Sequence, residues 1–195
     1  MKPALELNSQ NFFIKGWYTD NLELCDKLIE HINDPNQKKW TGKSGFKGEL
    51  VENKNIKDSV DTYIPKELHN EYCNTILNPA TTEYCKSFYD VSISPEFKLQ
   101  EGVQIQKYEP GGGFHSWHCE NWTGLRNLVF MTYLNNVMNG GETEWKYQNL
   151  RIPPRKGLTI IWPTDWTHTH RGAAAPYETK YVTTGWYEYI VEEDK

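Results

Sequence analysis

The chain has 195 residues, a length that fits one domain with a core of its own. Its 21 basic and 26 acidic residues give a formal net charge of −5, which does not favour bulk electrostatic binding to nucleic acid. No apolar run is long enough to cross a bilayer, and the first residues lack the pattern of a secretory signal. We therefore expect a cytoplasmic protein with no membrane partner, a monomer or weak homodimer whose four cysteines are reduced thiols.

The front half of the chain is predicted to be mostly helical. Asp20 is followed three residues later by Glu23, which is the spacing of a capping box at the start of a helix. Apolar residues at helical spacing then continue to about residue 33. The other elements predicted in this half are a short strand at 12–14, a polar loop or lid at 36–57, and helices at 66–77 and 81–89, which Pro79 separates.

From residue 97 onward the pattern changes to strands and turns. Residues 103–108 alternate between apolar and polar, whereas residues 128–134 are continuously apolar, which is typical of a strand buried on both faces. Helices first and strands afterwards predict a mainly β fold with N-terminal helices (α+β), arranged as a sandwich or barrel. We expect a single domain over 1–195, with 1–96 as a helical and loop buttress and 97–195 as the core.

His118 and Glu120 form the first candidate site. Residues two apart on a strand share a face, so this imidazole and carboxylate can point at one metal ion. His168 or His170 is a candidate for the third ligand. Two histidines and one carboxylate with open positions are the facial triad of non-haem Fe(II) oxygenases. Ordinary hydrogen-bonded histidines beside a solvated glutamate would give the same pattern, and both interpretations stay open.

Lys180 is the second candidate, because it lies in the otherwise apolar strand 180–186. A buried ammonium group is costly unless it meets an anion. A dicarboxylic cosubstrate bound at the metal would supply that anion, and Thr184 on the same strand face would add a hydroxyl group. An ion pair with a protein carboxylate such as Glu144 explains the lysine equally well at this stage.

Five segments between residues 103 and 190 form an ordered set: Tyr108 to Phe114, His118-Cys119-Glu120, Tyr133-Leu134-Asn135, Gly140 to Trp145, and His170 with Lys180 ten residues later. In this order they resemble the 2-oxoglutarate- and Fe(II)-dependent dioxygenases, specifically the prolyl 4-hydroxylase-like branch. The resemblance covers a little under half of the chain. Each segment alone is a weak signal, but the ordered set is specific.

The resemblance implies a double-stranded β-helix, or jelly-roll, core with supporting N-terminal helices. It also implies a set of site residues, in which the lysine and Tyr133 hold the distal carboxylate of 2-oxoglutarate. The predicted metal ligands are His118, Glu120 and His170, and the predicted cosubstrate-binding residues are Lys180, Tyr133, Tyr108 and Thr184.

The function that the resemblance implies is that of an oxidoreductase. It would use Fe(II), 2-oxoglutarate and O2 to hydroxylate a C–H bond of a prolyl or other residue in a peptide or protein. A free amino acid or small metabolite is the alternative substrate. A catalytically silent jelly-roll binding module, and a cupin-like metal enzyme that does not use 2-oxoglutarate, are the alternative functions.

Two features depart from the family pattern. Glu120 stands where the family has aspartate, which keeps the charge but adds a methylene group. The gap between Phe114 and His118 is one residue longer than expected, so His115 competes as a ligand. His168 and His170 share a strand face, so geometry does not choose between them. Only the family's ten-residue spacing to the lysine selects His170. His168 would then lie next to a metal ligand without binding the metal, or would be the alternative ligand.

Overall fold

Two antiparallel sheets make up most of the molecule in a computed structural model that describes residues 1–4, 12–46, 49–99, 102–121 and 124–191. In chain order the strands are β1 (Lys2–Pro3), β2 (Lys15–Tyr18), β3 (Trp40–Thr41), β4 (Ser44–Phe46), β5 (Glu49–Val51), β6 (Val60–Tyr63), β7 (Phe97–Leu99), β8 (Gln104–Tyr108), β9 (Phe114–His118), β10 (Arg126–Tyr133), β11 (Thr143–Trp145), β12 (Leu150–Ile152), β13 (Leu158–Pro163), β14 (His170–Gly172) and β15 (Lys180–Tyr189).

The strand order is that of a jelly roll. The larger sheet runs β1-β2-β13-β10-β15-β8-β6-β3, with β7 also paired to β15, and the smaller sheet runs β12-β11-β14-β9. Of strands β8 to β15, four lie in the larger sheet (β8, β10, β13 and β15) and four in the smaller sheet (β9, β11, β12 and β14). The chain crosses repeatedly between the sheets, as in a double-stranded β-helix, which confirms the predicted fold class. Strands β4 and β5 form a separate hairpin.

The helices cover the outer face of the larger sheet. Their bounds are α1 (Leu22–Asn33), α2 (Lys66–Tyr72), α3 (Asn78–Ser87) and α4 (Tyr89–Ser92), with a π-helical turn at Cys73–Leu77 between α2 and α3. None of the helices in the described part of the chain is long and apolar enough to cross a membrane.

Strand β10 is buried on both faces, as its continuous apolar run predicts. Leu128 and Phe130 pack in the core beneath the helices. Val129 and Tyr133 pack in the second core, between the two sheets. Successive side chains of β10 therefore point alternately toward the helices and toward the layer between the sheets, which contains the cavity.

The front half differs from the sequence prediction in local detail. Asn21 rather than Asp20 caps α1, since its side chain accepts the backbone N–H of Leu24. Pro79 does not separate two helices, because the π-helical turn before it lets α2 run on into α3. Residues 12 and 13 have positive φ values, so the strand begins only at Lys15.

The predicted loop at 36–57 carries three short strands, β3, β4 and β5. Residues 47 and 48, also within this predicted loop, lie outside the described residues. Two front-half strands, β2 and β6, pair with the jelly-roll strands β13 and β8. The front half therefore extends the larger sheet at both edges, besides supplying the helices.

Candidate functional site

A cavity of about 410 Å³ opens between the two sheets. Side chains from both sheets line it, and so do residues of β3, of the β4–β5 hairpin and of the segment that leads into β6. Its polar lining residues include Lys57, Asp61, Gln104, Gln106, Tyr108, His118, Glu120, Arg126, Thr143, His170, Lys180 and Thr184.

His118, Glu120 and His170 come together at this cavity. His118 ends β9 and His170 begins β14, and the antiparallel pairing of these strands sets the two residues opposite each other. Oε1 of Glu120 lies 3.3 Å from Nε2 of His118 and 3.4 Å from Nε2 of His170. The three ligand atoms lie within 4.8 Å of one another, which is close enough to hold one metal ion.

Hydrogen bonds orient both imidazoles toward the glutamate. Nδ1 of His118 is 3.0 Å from the carbonyl oxygen of Ser116, and Nδ1 of His170 is 2.9 Å from that of His168. A carbonyl oxygen only accepts, so both Nδ1 atoms carry a proton. Each Nε2 atom faces Glu120, where it can donate to the carboxylate when protonated and bind a metal when deprotonated. This donor set fits the two-histidine, one-carboxylate site of non-haem Fe(II) enzymes.

The carboxyl group of Glu120 is held ionised in the cavity. Burial raises its pKa, but the hydrogen bonds with His118 and His170 outweigh burial and keep the pKa well below its usual value. Its second oxygen, Oε2, accepts the indole N–H of Trp186 at 3.0 Å and lies 3.5 Å from the guanidinium group of Arg126. The two oxygens of one carboxylate thus face different partners.

Lys180 is buried in the same cavity without a carboxylate partner among the described residues. Its Nζ donates to the carbonyl oxygens of Gly141 and Ala173, at 3.1 and 3.3 Å. Burial lowers the pKa of Lys180 to about 8. The nearby carboxylate of Glu142 raises this pKa, but its effect is smaller than that of burial. The alternative partner Glu144 instead pairs with two arginines of the smaller sheet.

Space for a cosubstrate lies beside this lysine. A Cβ atom added to Gly172 would come within 3.4 Å of Nζ of Lys180, so the missing side chain leaves room between the lysine and His170. Tyr108 forms another wall, with Nζ 4.8 Å from the centre of its ring. A buried, unpaired cation next to open space fits the distal carboxylate of 2-oxoglutarate.

Two predicted cosubstrate residues have other partners. The hydroxyl group of Tyr133 lies 2.6 Å from Oγ1 of Thr143 and donates to the carbonyl oxygen of Ile152. Thr143 lines the cavity, whereas Tyr133 does not. Thr184 donates to the carbonyl oxygen of Phe130. It stands four residues from the lysine along β15, or about 13 Å, and therefore lies on the glutamate side of the cavity.

The two competing histidines lie outside the cavity lining. His115 is three residues from His118 on β9 and so projects from the opposite face of the strand. Nε2 of His168 is 2.6 Å from the carbonyl oxygen of Phe12, so this ring holds the start of the described segment 12–46. Neither residue belongs to the cluster that has metal-binding geometry.

Sequence reasoning missed several cavity residues. Trp186 was detectable, because it shares a strand face with Lys180 at even spacing. Gln104 and Gln106 were also detectable, as the polar positions of an alternating strand. Lys57 and Asp61 carried no usable signal, since they lie in or beside a segment predicted as loop. They form a buried ion pair of 2.7 Å.

Comparison with solved structures places the fold among prolyl hydroxylases. The collagen prolyl hydroxylase vCPH of Paramecium Bursaria Chlorella virus-1, in a 2OG complex, is 19% identical, with a TM-score of 0.66 and coverage of 91% of this chain and 97% of that one. A Pseudomonas putida prolyl-4-hydroxylase is 13% identical, with a TM-score of 0.66 and coverage of 94% and 95%. These identities support the likeness of fold alone.

A third similar structure is a Trichoplax adhaerens prolyl hydroxylase in complex with a hypoxia inducible factor oxygen degradation domain peptide fragment. It is 16% identical, with a TM-score of 0.65 and coverage of 97% of this chain and 87% of that one. None of the curated proteins matches the chain.

The family comparison agrees with the resemblance in the sequence. The model of the 2OG-Fe(II) oxygenase superfamily matches residues 103–188, which contain β8 to β15 except for the last residue of β15. Fe(II) is the cofactor of that superfamily, and 2-oxoglutarate and O2 are its cosubstrates. Residues 103–188 are therefore similar in sequence to the 2OG-Fe(II) oxygenase superfamily, and they include all three residues of the His-Glu-His cluster.

Proposed function

We propose that the protein is an Fe(II)- and 2-oxoglutarate-dependent hydroxylase that acts on a prolyl residue within a peptide or protein. The observation that carries this proposal is a His-Glu-His cluster and an unpaired buried lysine in one cavity. Bound Fe(II) and 2-oxoglutarate would supply the oxidation of a C–H bond by O2, while the protein binds, orients and excludes water. The similar structures named above are prolyl hydroxylases, which supports the choice of substrate.

Each side chain has one task in this proposal. The metal ligands are His118, Glu120 and His170. Lys180 donates to the distal carboxylate of 2-oxoglutarate, and Tyr108 forms the wall beside that carboxylate. Val129 and Val182 of the larger sheet give the cavity an apolar floor, which limits water around the reacting groups.

The charges of the cavity favour a neutral substrate. The described residues that line the cavity include four cationic side chains. Lys43, Lys57 and Arg126 each have a carboxylate within ion-pair distance, whereas Lys180 does not. The single unpaired cation is needed for 2-oxoglutarate. A free amino acid would bring an ammonium group and a carboxylate of its own in addition to the charges of 2-oxoglutarate. Neither would have a partner of opposite charge, which is costly in a closed site. A prolyl residue inside a chain brings neither charge.

The mouth of the cavity suits a peptide. The rings of Trp40 and Tyr63 lie 4.9 Å apart there, and Tyr63 is 50% exposed. Aromatic-lined grooves bind proline-rich segments, because such segments keep an extended conformation at low entropic cost.

A row of hydrogen bonds leads from the cavity toward this mouth. The hydroxyl group of Tyr108 donates to Gln106, whose amide nitrogen donates to Gln104. The amide nitrogen of Gln104 is then a donor with no acceptor among the residues that the structure describes. A backbone carbonyl group of a peptide is the neutral acceptor that this donor fits.

The test compares two substrates that differ in their end charges. The protein is incubated with Fe(II), 2-oxoglutarate and either free L-proline or a proline-rich peptide with an acetylated N-terminus and an amidated C-terminus. Succinate formation and mass spectrometry of the product are measured, with Glu120→Ala as the inactive control. We expect oxygen incorporation into the peptide only. Equal turnover of free proline would contradict the peptide part of the proposal, and absence of iron-dependent succinate with any substrate would contradict the hydroxylase itself.

We also propose a cytoplasmic location and a monomeric or weakly dimeric state. All four cysteines are free thiols, which is typical of a reducing compartment. Multi-angle light scattering at several concentrations tests the oligomeric state, and a mass that stays above that of a dimer on dilution would contradict it.

A further inference from the structure

We propose that Arg126 and Trp186 are positioning residues that hold Oε2 of Glu120, so that only Oε1 is offered to the metal. This inference rests on the proposed metal site. The need for such a device comes from the length of glutamate, which has one more rotatable bond than aspartate. An unrestrained glutamate loses more side-chain entropy on binding, and it can also swing both oxygens onto the metal and occupy a position that the cosubstrate needs.

Trp186 supplies the fixed donor. Its indole N–H donates to Oε2 at 3.0 Å, and its side chain is only 8% exposed, so the ring is held by packing. It lies on β15 directly opposite Val129 of β10, in the regular part of the pairing between these strands. A donor on a regular, central strand has little freedom to follow the carboxylate.

Arg126 supplies a charge and covers the indole ring. Its guanidinium carbon lies 3.7 Å from the centre of the Trp186 ring, and Nη1 lies 3.5 Å from Oε2 of Glu120. Glu188 pairs with the same guanidinium group at 3.6 Å. This contact with the ring face, together with two carboxylates, fixes the guanidinium group in a way that a lysine would not reproduce.

An irregularity in β10 brings Arg126 to the cavity. Leu128 and Phe130 point toward the helices, and simple alternation would send Arg126 the same way. The pairing of β10 with β15 shifts by one residue between Arg126 and Leu128. This bulge turns Arg126 to the cavity face, which it lines. Bulges commonly re-aim side chains beside active sites.

Binding of Mn(II) alone to the full chain, followed by electron paramagnetic resonance, tests the proposal without relying on turnover. Trp186→Phe removes the N–H and keeps the ring, and we expect about tenfold or greater weakening, the usual effect of losing a partner of a metal ligand. Arg126→Lys keeps the charge and loses the stacking, and we also expect weaker binding. The matched control is Trp17→Phe, since that buried indole packs in the core beneath the helices and does not line the cavity. Its Mn(II) affinity should change by no more than about twofold.

A double-mutant cycle with Glu120→Asp separates positioning from general damage. Aspartate is shorter, so its second oxygen draws back from the indole, and Trp186→Phe should then change the Mn(II) affinity by less than about twofold. Thermal unfolding of each variant shows whether it is folded. If Trp186→Phe is not folded, the same cycle is measured with Arg126→Lys in its place.

The failures of the two proposals are distinguishable. Unchanged Mn(II) affinity in folded Trp186→Phe and Arg126→Lys would overturn the positioning role while leaving the metal site intact. An equal effect of Trp186→Phe in the presence and absence of Glu120→Asp would also overturn it, since the effect would not pass through the longer carboxylate. Unchanged affinity in Glu120→Ala would overturn the metal site itself.

Discussion

Replacing Lys180 with methionine is the most discriminating change that the structure suggests. Burial lowers the pKa of this lysine from 10.5 to about 8, even with Glu142 nearby to raise it. Lys180 is 3% exposed, and among the described residues its ammonium group donates to the carbonyl oxygens of Gly141 and Ala173. One pKa unit corresponds to about 1.4 kcal/mol, so the protein without cosubstrate holds this cation at a cost of about 3 kcal/mol at neutral pH.

Methionine has a similar length and no charge. We therefore expect Lys180→Met to raise the free energy of unfolding of the cosubstrate-free protein, by up to about 3 kcal/mol, as measured by urea denaturation. The same change should weaken 2-oxoglutarate binding about thirtyfold or more, because losing a charge-assisted bond in a buried site costs roughly 2–4 kcal/mol. Titration of the Mn(II)-loaded protein with 2-oxoglutarate in the absence of O2 measures this loss. Higher stability together with weaker binding distinguishes a cosubstrate residue from a structural one.

The pH dependence follows from the same pKa. The unfolded chain keeps this proton up to about pH 10.5, whereas the folded protein releases it at about pH 8. The unfolded state therefore binds more protons between these values, and this group makes the free energy of unfolding rise with pH across that window. Affinity for 2-oxoglutarate should be constant below about pH 8 and fall about tenfold per pH unit above it, because only the cation attracts the carboxylate.

Lys57 provides the matched control. It lines the same cavity and is also 3% exposed, but its Nζ lies 2.7 Å from Oδ2 of Asp61. Lys57→Met leaves a buried carboxylate without its partner, so we expect a loss of about 3–5 kcal/mol of stability. The two lysine variants should therefore change stability in opposite directions. If Lys180→Met destabilised the protein as Lys57→Met does, and 2-oxoglutarate bound normally, Lys180 would be a structural residue and the reasoning would be refuted.

Four further substitutions test the assignment of the other site residues. His118→Ala should abolish Mn(II) binding while His115→Ala should keep about one ion per chain, and the reverse result would exchange their roles. His168→Ala should keep the metal but lower the melting temperature, because it loses the hydrogen bond to the backbone carbonyl of Phe12; loss of metal would make His168 a ligand. Tyr133→Phe should change the affinity for 2-oxoglutarate by less than about threefold, since its hydroxyl group is already bonded within the protein, and a larger change would place it at the cosubstrate.

The sequence predicted the local part of the site better than the part that depends on strand pairing. His118 and Glu120 are two residues apart, so the period of a strand was enough to bring them together. His170 reaches them only because β14 pairs with β9 in one register. Register between distant strands is set by packing over the whole sheet, and the residues alone therefore did not separate His170 from His168. The spacing known for the family made that choice.

The front half was harder to predict for the same physical reason. Strands β3 and β6 are short, and each is completed by a neighbour far away in sequence, so their polar residues are typical of a loop. Asp61 is buried only because β6 pairs with β8 beside the cavity. The bulge that turns Arg126 into the cavity leaves no local signal, since it appears only when β10 and β15 are paired.

Charge balance in the closed cavity links the metal to the cosubstrate. Two cavity cations are balanced within the protein, Lys57 by Asp61 and Arg126 by Glu188. Of the remaining charges, the two positive charges of Fe(II) and the one on Lys180 equal the single negative charge of Glu120 and the two of 2-oxoglutarate, provided that both histidines are neutral. Either ligand alone leaves uncompensated charge in a buried site, where it is costly. The two should therefore bind with positive coupling, each raising the affinity for the other by the same factor. A substrate that arrives after both then meets a cavity without net charge, which is the electrostatic reason for expecting a neutral prolyl residue rather than a free amino acid.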